Sequence, residues 1–261
     1  MDKSNCLNQF YFDSESYEES FQLEGLLNTF FRGQRPNANY ITCIGAAQTF
    51  GRHCPQSYPK LLSRLIGTLC VNLGLGDASP LTFTHTALLE VINNSQYCVL
   101  QFMSARACSN YYWNQVRNLD DVYCSDVYYY DDDQLSIHDC NELWERLIQK
   151  GPDKDFPNED VAIMELIQST RDTYVQNFLF LIKQITVPIT FLWVSKRQFN
   201  YRLKLKPLHS LYGQYPQFVT QQMVSKIVGD YPLVTCIEDF TNYYPDQKTL
   251  HKVAQLLCSQ F

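Results

Sequence analysis

Apolar runs of strand length recur along the chain at Ile41–Ile44, Leu69–Leu73, Cys98–Met103, Pro188–Val194 and Leu233–Ile237. Between them the apolar positions fall at spacings of three and four, which predicts helices over Lys60–Gly67, Thr82–Asn93, Glu159–Ile185 and Tyr215–Val228, with a last one at Asp246–Cys258. Strands that alternate with helices need crossover connections, so the pattern predicts a parallel sheet with right-handed crossovers. The expected fold class is α/β: a three-layer α/β/α, flavodoxin-like domain with a five-stranded parallel sheet in the order 2-1-3-4-5. Glu159–Ile185 is the clearest helix, since "EDVAIMELIQSTRDTYVQNFLFLIKQI" begins just after Pro157 and Asn158 and hands over directly to the strand "VPITFLWV".

Two stretches stand apart. Residues 1–38 are acidic and aromatic and end in Gly33, Pro36 and Asn37, which predicts an N-terminal arm ahead of an α/β domain over 39–261. Residues 110–155 concentrate tyrosine and acid and break at "GPDKD", which predicts an insertion over one face of the sheet with too few strand signals for a core of its own. The run "YYYDDDQ" lacks EF-hand spacing and reads as a solvated loop.

Composition narrows the partners. The chain is 45% hydrophobic, ample for a core, and its net charge of -6 with scattered Lys and Arg argues against duplex nucleic acid. Ten cysteines without a CxxC pair, several inside apolar runs, read as buried reduced thiols, the usage of a cytoplasmic protein. The start lacks an apolar signal core and no run has the length of a membrane helix, so no membrane span is expected. His85, His138 and His209 have no partner at metal-ligand spacing, so neither a metal nor a cofactor is expected.

The stretch "YITCIGAAQTFGRHCPQSYP" runs from a strand through small residues into a helix. Ligands of doubly wound sheets bind outside the carboxyl ends of the strands, which puts "GAAQTFGR" at the crevice. Small residues at Gly45, Ala46 and Ala47 let the backbone turn tightly, a requirement of any short strand-to-helix connection. "VNLGLGDASP", "VLQFMSARACSN" and "TNYYPDQKTLHKVAQLL" follow at the next edges. In their order these four blocks resemble the SGNH, or GDSL-like, hydrolase superfamily. More narrowly, "GAAQTFGR", "NLGLGDASP", "QFMSARACSN" and "FLWVSKR" are similar to a bacterial family of uncharacterised function.

The resemblance implies where a Ser-His-Asp triad would stand, and this chain departs from it there. Ala46 takes the place of the first-block aspartate and Ala47 that of the serine; Thr241 and Tyr244 take those of the last-block aspartate and histidine. "MSAR" replaces the Gly-x-Asn-Asp of the third block. Gly74 and the Ala47 amide are left as oxyanion donors, and the ordinary serine mechanism is lost.

The ligand-binding candidates are therefore Gly45, Ala46, Ala47, Gln48, Thr49 and Arg52 in the first block, and Asn72 and Gly74 in the second. Ser104, Arg106, Ser109 and Asn110 follow in the third, and Tyr244 in the last. Arg52 and Arg106 follow neighbouring strands and suit an anion, or each binds a local carboxylate. Ser104 also reads as a helix N-cap. Thr49, Ser104 and His251 are the catalytic candidates, with His251 reading better as a packed or solvent-facing side chain. Three functions follow as expectations. The first is an SGNH-like pseudoenzyme or transferase that takes a carbohydrate or an acyl or sulfo donor, as in polysaccharide or glycoconjugate modification. The second is a sulfotransferase-like enzyme, and the third is an interaction protein that uses the Tyr-rich insertion; a homo-oligomer is a further partner expectation.

Overall fold

The computed structural model describes residues 19–26, 29–76, 78–106, 108–109, 164–199, 215–240 and 244–261, and the backbone alone of 113–115, 127–131, 134–138 and 159–163. The strands are β1 (Ser20–Phe21), β2 (Phe31–Arg32), β3 (Tyr40–Gly45), β4 (Leu69–Gly74), β5 (Cys98–Gln101), β6 (Trp113–Gln115), β7 (Val127–Asp131), β8 (Gln134–His138), β9 (Ile189–Ser195) and β10 (Leu233–Ile237). The helices are α1 (Ala47–Phe50), α2 (Tyr58–Ile66), α3 (Thr86–Asn93), α4 (Glu159–Gln184), α5 (Gln221–Val228) and α6 (Gln247–Cys258).

The main sheet is five-stranded and parallel, in the order β10-β9-β5-β3-β4, which is the expected 2-1-3-4-5 arrangement. Side chains alternate across it. Ile44, Val71, Leu73, Leu100, Phe191 and Trp193 pack on one face with residues of α3, α4 and α5. Ile41, Cys43, Val99, Leu192, Val194 and Cys236 pack on the other with α2 and α6. Strands buried on both faces read as continuous apolar runs, and that is why the pattern exposed them.

Several boundaries differ from expectation. The Thr82–Asn93 helix is a 3-10 turn over Pro80–Thr84 followed by α3, because Pro80 and the Ser79 cap start a separate short element. The Tyr215–Val228 helix begins only at Gln221, where the Thr220 side chain accepts from the Met223 amide; the preceding loop holds Pro216 and a left-handed Phe218. The third strand stops at Gln101 rather than Met103. The insertion, read as having too few strand signals for a core of its own, carries an antiparallel three-stranded sheet, β6-β7-β8, and "YYYDDDQ", read as a loop, falls largely in β7 and at the start of β8.

Within the stretch read as an arm, Ser20–Phe21 and Phe31–Arg32 form the antiparallel pair β1-β2, and Phe21, Leu23, Leu26 and Phe31 join the main core. Arg32, only 4% exposed, donates from Nη1 to the Gly51 carbonyl (2.7 Å) and from Nη2 to those of Cys54 (2.8 Å) and Pro55 (2.9 Å). Arg197, equally buried, donates to the Pro216 carbonyl and to that of Val219 (2.7 Å) and lies over Trp193. Two guanidinium forks thus tie the loop beyond α1 to β2 and the loop before α5 to the end of β9.

Gly74 allows α1 to seat against β4. A Cβ there would lie 2.8 Å from the Phe50 Cα and closer still to its amide nitrogen, backbone atoms that cannot swing aside. Gly74→Ala is therefore expected to cost about 2–4 kcal/mol, read as a lower urea midpoint with an unchanged m-value.

Candidate functional site

β3 and β5 are in register through Ile44 and Leu100, which sets Gly45 beside Gln101 at the carboxyl edge of the sheet. Gly45 matters by what it lacks: a Cβ would stand 2.7 Å from the Gln101 Cβ and would overlap the Gln101 Oε1 and the Thr49 hydroxyl. The fully buried Gln101 carboxamide fills that space. Its Oε1 accepts from the Ala46 amide (3.3 Å), the Thr49 amide (3.1 Å) and the Thr49 hydroxyl (2.5 Å). Its Nε2 donates to the Tyr215 hydroxyl (3.1 Å), which donates in turn to the Phe102 carbonyl (2.9 Å). One side chain thereby satisfies the backbone of the first turn, which buried amides demand.

This network decides the state of the first-block residues. Ala46 is the N-cap of α1 but offers no side-chain cap, and the Gln101 oxygen takes the place of one. Ala47 is buried. Thr49 is fully buried with its hydroxyl committed to Gln101, so it presents no oxygen to the crevice. Gln48 is 3% exposed, and its Oε1 meets no donor among the described residues.

Farther out, Arg52 and Tyr244 meet. The Arg52 Nη1 donates to the Tyr244 hydroxyl (2.6 Å), the guanidinium lies 4.9 Å from the ring centroid, and the exposed His53 ring meets Tyr244 edge-on at 5.4 Å. Tyr244, at the place the resemblance assigns to a histidine, is thus held by the first block. Next to it, Cys54 donates to the Pro245 carbonyl (3.2 Å), and burial pushes its thiol up to about 11. A thiol of that acidity is not a thiolate near neutral pH.

The second block is structural. Asn72 accepts from the Gly74 amide (2.9 Å) and donates to the Phe50 carbonyl (3.3 Å). The expected oxyanion donor at Gly74 is therefore turned toward Asn72. In the third block the Ser104 hydroxyl accepts from the Arg106 amide (3.2 Å) in a turn, so the N-cap reading of Ser104 is corrected: no helix follows among the described residues. Ser109 is half-buried, and Asn110 and Thr241 lie outside the described residues. The described bonds join Arg52 to Tyr244 and Arg106 to Ser104, in separate turns. His251 is exposed on α6, its Nδ1 bonded to the Gln247 carbonyl (2.8 Å). Asp246 caps α6 by accepting from the Thr249 amide (2.8 Å), which holds its carboxyl below the usual range.

Gln101 escaped the residue-by-residue reading, although it stands in the quoted "VLQFMSARACSN". The signal was present as the single polar residue in the run Cys98–Met103. Arg197 ends the quoted "FLWVSKR" without a sign of its role, and Arg32 left no comparable trace. No group of His, Cys, Asp and Glu suited to a metal occurs among the described residues, and no described helix is long and apolar enough to cross a membrane.

Residues 21–120 match a family model described as a domain of unknown function, DUF6473. No curated protein matches the chain. Among solved structures, the chain is similar to a carbohydrate esterase family 2 enzyme plus carbohydrate-binding domain from Corynascus thermopiles (Myceliophthora fergusii), with 11% identity over 90% of this chain and 68% of that one and a TM-score of 0.44. It is also similar to the lipase Lip_vut3 from a goat rumen metagenome, with 5% identity over 85% of this chain and 96% of that one and a TM-score of 0.45. A third similar structure, a protein from Slackia heliotrinireducens provisionally assigned to the SGNH hydrolases, shows 11% identity over 85% of this chain and 98% of that one, at a TM-score of 0.38.

Two outcomes follow from this geometry. Gln101→Leu removes the acceptor of three donors and is expected to cost about 2–4 kcal/mol in urea denaturation. Burial raises the Cys54 and Cys236 thiols to about 11 and that of Cys98 to about 12, so the fold favours their neutral form. The stability this confers is complete below the ordinary thiol value of 9.0 and is lost as pH climbs through the folded values. Urea midpoints should fall between about pH 9 and about pH 12, and Cys54→Ser should flatten that decline.

Proposed function

We propose that this domain binds a carbohydrate or an acyl- or sulfo-bearing donor in the crevice at the carboxyl edge of β3 and β5, without the chemistry of a serine hydrolase. What supports the reading is that Ala47 stands where the resemblance puts a serine, and Tyr244, bonded to Arg52, where it puts a histidine. A hydrolase needs a nucleophile beside a base that takes its proton. Here the Thr49 hydroxyl, two residues beyond Ala47, is buried against Gln101, and the Cys54 thiol is held neutral. What the crevice offers instead is recognition: an aromatic ring for a sugar face, the Arg52 guanidinium beside it, and Ser104 and Arg106 after the neighbouring strand. The motif order supports the same reading, and a role in polysaccharide or glycoconjugate modification as a non-hydrolytic or transferase-like component belongs to it.

The test has two arms. Hydrolysis of an aryl acetate by the wild-type protein should not exceed the buffer rate; a robust turnover would overturn the reading. A thermal-shift screen of acetylated and sulfated oligosaccharides and acyl-CoA should give at least one stabilising ligand, and indifference to all would also count against it. For that ligand, Arg106→Ala should weaken binding by about 1–3 kcal/mol with the melting temperature retained.

A further inference from the structure

A second concavity lies between α2 and the edge strand β4. Its volume is about 380 Å³, and it is walled by α2 and by the turn that follows β2. That is within the range of small-molecule sites, about 300–1,000 Å³.

β4 is an edge strand, so a peptide adding a strand is the first occupant to weigh. The edge is closed to it: the Ser63 hydroxyl accepts the Cys70 amide at 2.7 Å, and Ser63 itself donates back to the Pro59 carbonyl (3.0 Å). Charge is the stronger feature. The lining includes Arg32, Lys60 and Arg64 and no carboxylate, in a chain whose net charge is -6. Arg32 directs both of its Nη groups at the loop carbonyls and adds a third cationic side chain to the lining. Lys60 and Arg64 stand four residues apart on α2, so their Cβ atoms are about 6 Å apart on one face. Among the described residues neither side chain forms an ion pair or a hydrogen bond, and those of Gln34 and Thr68 at the rim form none either. Three cations facing one concavity repel one another until an anion enters it.

We propose that this groove binds a small phosphate monoester, its dianion held between the Lys60 ammonium and the Arg64 guanidinium and its hydroxylated body against Gln34 and Thr68. A guanidinium and an ammonium one helical turn apart match the several oxygens of a phosphate better than a single carboxylate. The volume has room for a pentose beside it, and the groove is too short and too sparsely basic for a nucleic acid backbone.

Calorimetry of the full chain with ribose 5-phosphate, ribose and inorganic phosphate tests this. Ribose 5-phosphate should bind, inorganic phosphate more weakly, and ribose not at all. The double variant Lys60→Gln/Arg64→Gln should lose at least about tenfold in affinity for ribose 5-phosphate, the scale of a charge-assisted contact. Its melting temperature without ligand should be unchanged, since neither side chain bonds another described residue, and each single variant should fall between. Absence of binding to ribose 5-phosphate, equal affinity for ribose, inorganic phosphate binding as tightly as the ester, or undiminished binding by the folded double variant would overturn the proposal.

Discussion

The carboxyl edge of the sheet depends on the fit of one carboxamide into the space left by one missing Cβ. Gln101 can reach the turn after β3 only because Gly45 carries no side chain, and the turn can do without a polar N-cap only because the Gln101 oxygen arrives. The coupling extends through Tyr215 to the loop before α5, so a single buried chain of hydrogen bonds runs from the first turn to the fourth crossover. In a low-dielectric interior such a chain is worth keeping whole, since a half-satisfied one exposes unpaired dipoles to apolar surroundings.

That arrangement also bears on chemistry. A turn meant to activate a nucleophile keeps some donors aimed outward, toward charge that develops on a substrate. Here the Ala46 and Thr49 amides point at Gln101, and the Gly74 amide points at Asn72. Farther out stand Arg52 and Tyr244, a cation and an aromatic ring in contact, which recognise shape and charge.

How far the sequence revealed this follows from the range of each interaction. The strands and their order were legible because burial on both faces leaves unbroken apolar runs, and the crossovers leave helical periods between them. The turn at Gly45–Ala47 was legible because tight turns restrict residue type. Gln101 was visible as an odd polar residue, but its role rests on Gly45 across the sheet, which no local pattern records. Helix starts were misplaced where a proline or a cap divides a period, as at Pro80 and Thr220. Arg32 acts on carbonyls 18 to 23 residues away, and nothing about an arginine in a short polar stretch announces that reach.

Arg32 has a consequence for where the folding unit starts. Composition alone draws its border near residue 39, yet the side chain that fastens the Phe50–Pro55 loop comes from β2, and the β1-β2 ribbon also supplies Phe21 and Phe31 to the main core. The ribbon is thus a staple threaded from outside the sheet, and the crevice wall on that side is only as well formed as the staple. A fragment cut at the compositional border would keep every strand of the parallel sheet and lose the shape of its first loop.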